Sequence, residues 1–206
     1  MSRLPWRFRA LCAVAIATTT PHIAQGQGAA PRAGARPSEK PLPLEAGRTF
    51  SLDTREGTWL SLDVSPDGRT IAFDMLGDLY TMPFEGGDAA RITSGMAFDA
   101  QPRFSPDGKS IVFISDREGA DNVHVVDIAT KTVKGITRGK TNVYLSAEWS
   151  PDGKYIVASK GGFRGGLPTL WMYHADGGNG ISLYTAPLNA APGTAVQQAG
   201  AAFSAD

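Results

Sequence analysis

Three aspartates recur at one place in a repeated tetrapeptide. Asp67, Asp107 and Asp152 are the third residues of "SPDG" at Ser65, Ser105 and Ser150. Carboxylates can serve as metal ligands or as acid and base. The spacing argues otherwise, because each stands at the same point of a repeating unit. Proline sets the backbone angle that the second position of a turn needs, aspartate accepts local backbone hydrogen bonds, and glycine takes positive φ. The motif therefore reads as a tight hairpin, and the three aspartates as turn residues.

The other chemistry-bearing residues are few. The histidines are His22, His124 and His174. His22 falls in the N-terminal leader. His124 and His174 occupy corresponding strands and read as partly packed strand residues rather than ligands. There is no His-x-His, no "HExxH", and no Cys/His set at zinc spacing. There is no Gly-x-Ser-x-Gly elbow. "GGFRGG", Gly161 to Gly166, lacks the Lys-Ser/Thr pair of a phosphate loop and reads as an inter-strand loop, with Phe163 and Arg164 at a tip able to contact a ligand. "SDREG", Ser115 to Gly119, reads as a loop stabilised by its Asp-Arg pair. The stretch thus offers no catalytic, cofactor-binding or metal-binding residue.

The elements around these residues follow from the repeat. An apolar residue precedes each motif (Val64, Phe104, Trp149) and a basic one follows it (Arg69, Lys109, Lys154). Next come a short strand ("TIAFD", "SIVFI", "YIVAS"), a loop, and a further strand ("DLYTM", "NVHVV", "TLWMY"). A turn then leads to a closing strand at "RIT" (Arg91), "GIT" (Gly135) and "SLYT" (Ser182). With the strand before the motif, each unit has four. Units of 40 to 50 residues with four strands indicate a β-propeller. The expected fold is all-β: about three four-stranded antiparallel blades and the start of a fourth, over residues 48–206. "RTFSLDT", Arg48 to Thr54, is expected as an outer strand closing the ring. Phe203 and Ser204 to Asp206 resemble a fourth motif broken off, so the chain reads as a fragment.

The N-terminus reads differently. Arg3, Arg7 and Arg9 precede the apolar run "ALCAVAIA", which is too short to span a bilayer. Residues 1–24 read as a secretory signal peptide, cut after Ala17 or Ala24, with an uncleaved anchor as the alternative. Cys12, the single cysteine, lies inside it, so the mature chain would have no thiol or disulfide. Residues 25–47, rich in Gly, Ala and Pro, read as a disordered linker. The formal net charge is zero, and without residues 1–24 it is −3, which gives no field for nucleic acid. The chain is expected in the periplasm or outside the cell, with no membrane span after cleavage.

The repeats resemble those of TolB and the tricorn protease: SPDG with its apolar strand, "SDREG", "DLY" or "NVHVVD", and "RIT". Within them "EGTWLSLDVSPDGRTIAFDMLGDLYTMPFEGGDAARIT", Glu56 to Thr93, is similar to the opening blade of secreted amidohydrolases. The resemblance covers about residues 48 to 185. It implies a propeller that gates or selects substrate for a C-terminal metal-dependent barrel in the same chain. The divalent metal, zinc, and a His-x-His pair would lie in that barrel. It also implies further blades as partners, and a peptide or protein ligand. Two alternatives stay open: a TolB-like periplasmic protein-binding module, and the propeller of a serine peptidase.

Overall fold

The computed structural model describes residues 51–162, 166–183 and 200–203. The leader and linker of residues 1–47, with Cys12 and His22, lie outside the described residues. So do Phe163, Arg164 and Ser204 to Asp206.

Twelve strands form three four-stranded sheets, and no helix occurs among the described residues. The first sheet comprises β1 (Leu62–Val64), β2 (Thr70–Met75), β3 (Asp78–Pro83) and β4 (Ala90–Arg91). The second comprises β5 (Asp99–Phe104), β6 (Ser110–Ser115), β7 (Asn122–Asp127) and β8 (Val133–Gly135). The third comprises β9 (Asn142–Trp149), β10 (Tyr155–Gly162), β11 (Gly166–His174) and β12 (Ile181–Ser182). Each is an antiparallel meander in chain order. These are three propeller blades, as the repeat predicts.

SPDG joins the first two strands of every blade. In the first blade the Ser65 amide donates to the Thr70 carbonyl at 2.8 Å, and the Gly68 amide to the Ser65 carbonyl at 2.8 Å. Gly68, Gly108 and Gly153 have φ of 72°, 71° and 69°, the left-handed region that glycine enters without steric cost.

Alternation along the strands builds two cores. In β6, Ile111 and Phe113 pack with Ala72, Leu79 and Phe104, at the boundary between the first and second blades. Val112 and Ile114 face the other way, with Val123, Trp149, Ile156 and Tyr173, at the boundary between the second and third. Successive side chains point to opposite faces, so a strand buried on both sides reads as one continuous apolar run. That is why "SIVFI" shows no alternation of apolar and polar residues.

Of the expected outer strand, Arg48 to Thr54, only Ser51 to Thr54 are described; they are exposed and form no strand, and the last blade that it would complete lies outside the described residues. Phe50 lies outside the described residues, and Leu52, half exposed, has no strand neighbour to pack on. The closing strands are also shorter than the motifs suggest, ending at Arg91, Gly135 and Ser182. Beyond that point Ile92 and Ile136 turn into the cores, and Thr93 and Thr137 spend their hydroxyls on the amides of Leu79 and Val123. Of the expected fourth unit only residues 200–203 are described. They form no strand, and the Gly200 amide donates to Ser159 Oγ at 2.9 Å.

Candidate functional site

The three turn aspartates are occupied by their own turns. Ser65 Oγ donates to Asp67 Oδ1 at 2.6 Å, and the Arg69 amide donates to the same oxygen at 3.1 Å. Asp107 and Asp152 repeat both bonds. The serine hydroxyl, then the amide, holds all three carboxyls below the usual aspartate range. A carboxylate so held is a poor proton carrier at neutral pH.

His124 lies in the core. Nδ1–H donates to the Asn122 carbonyl at 3.1 Å, and the ring tilts against Phe113. Nε2 is buried with no hydrogen-bond partner, 4.0 Å from a Glu118 oxygen. Burial pushes its pKa down, so the ring is neutral. His174 ends β11, half exposed, edge-on to Tyr155, and accepts the Asp176 amide at 3.1 Å.

The "SDREG" loop is stabilised, with partners other than those expected. Arg117 does not pair with Asp116. Its Nη2 reaches both oxygens of buried Asp99, at 2.8 and 2.9 Å, and its Nε donates to Ser115 Oγ. Asp116 instead accepts the Phe98 amide at 2.7 Å. Adjacent side chains in sequence diverge here: β5 supplies Asp99 for Arg117, and Phe98, just before β5, supplies the amide for Asp116.

The first strands of the blades pack side by side. Asp63, Arg103 and Glu148 each stand two residues before an SPDG. Asp63 accepts the Phe104 amide at 2.7 Å, and Arg103 lies 3.6 Å from Glu148. Burial raises the Glu148 carboxyl, against the pull of the Trp149 amide and Arg103. These charges lock one blade to the next.

A concave feature with converging cationic, aromatic and amide groups lies between the second and third blades. It is a cavity of about 450 Å³, lined by Arg138, Asn142, Tyr144, Lys160, Tyr173 and Asp176 among others. The Tyr144 and Tyr173 hydroxyls share a hydrogen bond of 2.9 Å, and burial pushes the Tyr173 phenol above its ordinary range. Lys160 Nζ sits 4.2 Å from the Trp171 ring centre and 6.0 Å from that of Tyr144. Asp176 is paired with Lys134 at 3.0 Å, which draws its carboxyl down.

None of these cavity residues is among the candidates read from the sequence. One signal was available. In "YIVASK", Ile156, Ala158 and Lys160 alternate, so a strand that buries the first two must turn the lysine to the same face. Among the described residues, no three His, Cys, Asp or Glu side chains come together as a metal site. No described helix is long and apolar enough to cross a membrane.

A family model described as the tricorn protease N-terminal beta propeller domain matches residues 63–203. The chain is 30% identical over 125 residues to tricorn protease homolog 1 of Streptomyces coelicolor, covering 60% of this chain and 12% of that protein. It is 35% identical over 158 residues to the uncharacterized peptidase YuxL of Bacillus subtilis, covering 57% of this chain and 23% of that protein. In three dimensions it is similar to a putative TolB from Agrobacterium tumefaciens, with a TM-score of 0.53 and 27% identity, over 59% of this chain and 47% of that one. The chain thus spans less than a quarter of either curated relative.

Proposed function

This chain belongs to the family of tricorn protease N-terminal β-propeller domains, and on that footing we propose that it is the substrate-selecting propeller of a peptidase-related hydrolase. The observation that carries the reading is the match over residues 63–203, together with two relatives that are both peptidases by name. Each shares only a small part of its length with this chain, which supports a propeller working beside a catalytic domain of the same polypeptide. The blades supply walls rather than reacting groups. The three SPDG aspartates are committed to their turns and His124 to the core, as their hydrogen bonds and burial require.

The expected metal-dependent amidohydrolase is the second reading. It rests on the similarity of Glu56 to Thr93 alone, and the relatives favour the peptidase alternative over it. Its zinc ion and His-x-His pair belong to that reading only. A periplasmic or secreted location is proposed from the leader expected over residues 1–24 and from the TolB-like fold.

The full-length gene product, offered a mixture of peptides, should cleave them without added metal, and a serine-directed phosphonate should block it. Cleavage of cyclic or small amides that stops with a chelator would replace this reading with the amidohydrolase. Capture of a defined protein partner without any hydrolysis would replace it with the binding module.

A further inference from the structure

We propose that the cavity between the second and third blades is a subsite for a peptide carboxylate, with the Lys160 ammonium as its anion contact. The choice of peptide among carboxylates rests on the peptidase reading. The anion site itself rests on geometry.

Lys160 lies on the inward face of β10, in line with Ile156 and Ala158. Its ammonium is held over Trp171 at 4.2 Å and near Tyr144 at 6.0 Å. Ring faces attract the charge but accept none of its three N–H groups strongly. Neighbouring lysines have acids: Lys134 reaches Asp176 at 3.0 Å and Lys154 reaches Asp152 at 4.0 Å. Lys160 has no carboxylate within 4 Å among the described residues. It is thus a positioned, half-buried cation with donors left over.

The surroundings make its unmet charge an asymmetry. Arg138 adds a second, exposed cation at the rim. Asp176, the carboxylate at the wall, is neutralised by Lys134. A cavity of about 450 Å³ is within the range that holds a small ligand. An ammonium in the lining and the Tyr144 and Tyr173 rings beside it fit a carboxylate on a short, partly apolar body. The Asn142 and Asn179 amides at the wall can both donate to and accept from peptide groups.

The test is calorimetric binding to the full chain of three probes: acetyl-Ala-Ala-Ala with a free C-terminal carboxylate, its C-terminal amide, and inorganic phosphate. The acid should bind saturably, and the amide about tenfold more weakly or worse. Lys160→Met, which keeps the stem over Trp171, should weaken the acid by a similar factor. Lys160→Arg should retain it within about threefold. Equal binding of acid and amide, no saturation by the acid, or full binding by a folded Lys160→Met would overturn the site. Phosphate binding as tightly as the acid would overturn the peptide assignment. If Lys160→Met does not fold, the acid-against-amide comparison on the native chain decides. Binding is read without turnover, so acid binding by a protein that cleaves no peptide leaves the subsite standing and removes only the peptidase reading. Peptide cleavage with no preference for the acid does the reverse.

Discussion

The Ser146 amide donates to Oε1 of Gln101 at 2.7 Å, and so ties the first strand of the third blade to that of the second. Both residues stand four places before an SPDG, and both have positive φ, 51° and 58°. Each sits where the pairing register of its strand slips. The bulge turns the amide off the ladder, towards the neighbouring blade. The Gln101 amide is used the same way, donating to Asp74 Oδ2 at 2.8 Å, while Asp74 Oδ1 accepts the Ser61 amide at 2.9 Å. Ser61, Gln101 and Ser146 are therefore one position, repeated three times and tied by side chains from blade to blade.

Asp74 should consequently be the most sensitive polar residue of the first blade boundary. It is buried and receives two amides from different blades. Asp74→Ala is expected to lose about 3 kcal/mol, since each bond to a charged acceptor contributes about 1.5 kcal/mol or more. Asp74→Asn keeps one acceptor oxygen and should lose about half as much. Urea titration of both variants checks the ratio, and equal losses would mean that Asp74 acts through only one of its bonds.

Gly108→Ala separates backbone strain from crowding. An added Cβ would meet its nearest neighbour, Pro66 Cδ, at 3.7 Å, an ordinary contact. The cost must then come from φ at 71°, about 1 kcal/mol for a residue with a Cβ in the left-handed region. A thermal melt should show this modest shift. A loss several times larger would indicate that the turns of adjacent blades pack more tightly than these distances allow.

Phe113→Ala tests whether the first two blades share a core. The ring is fully buried against residues of both. The expected loss is about 3–5 kcal/mol, the usual cost of emptying an aromatic site. Val64→Ala, at a position 38% exposed, should cost well under half of that. Denaturant midpoints of the two variants provide the comparison.

His124 makes stability depend on pH. Its folded-state pKa is lowered from the ordinary 6.5, by burial first and by Arg117 next. The Asn122 carbonyl, Glu118 and Asp99 pull the other way. The unfolded chain thus binds the proton more readily than the folded one, so stability falls as pH drops below 6.5 and levels off beneath the folded value. The lowered turn aspartates lose their contribution in a separate, more acidic window, below the ordinary 3.8. Asp78 and Glu148, both raised by burial, act in a window above that second fall, adding stability as pH drops through their raised folded values towards the ordinary 3.8 and 4.5. Melting temperatures from pH 7.5 to 5 should therefore decline in the native chain and stay nearly flat in His124→Phe. A decline of the same size in that variant would assign the effect to other groups.

The repeat in the sequence determined the blades, because a turn is a local object. Proline, aspartate and glycine in consecutive places specify SPDG hairpins without help from distant residues, and the strands on either side follow. The turn place of Asp67 and the strand place of His124 were also legible from pattern alone. The tertiary structure decided what depends on a neighbouring strand or blade. Arg117 pairs with Asp99 across 18 positions rather than with adjacent Asp116. Ser51 to Thr54 alternate like a strand yet form none, since a strand needs a partner edge and alternation supplies only a face. Lys160, Tyr144 and Tyr173 meet at the cavity from three strands. Strand parity shows that Lys160 faces inward, but not what it faces: Tyr144 and Trp171 are set by strand register within its own sheet, and the rest of the cavity by how the second blade stacks on the third, relations between segments that no local pattern encodes.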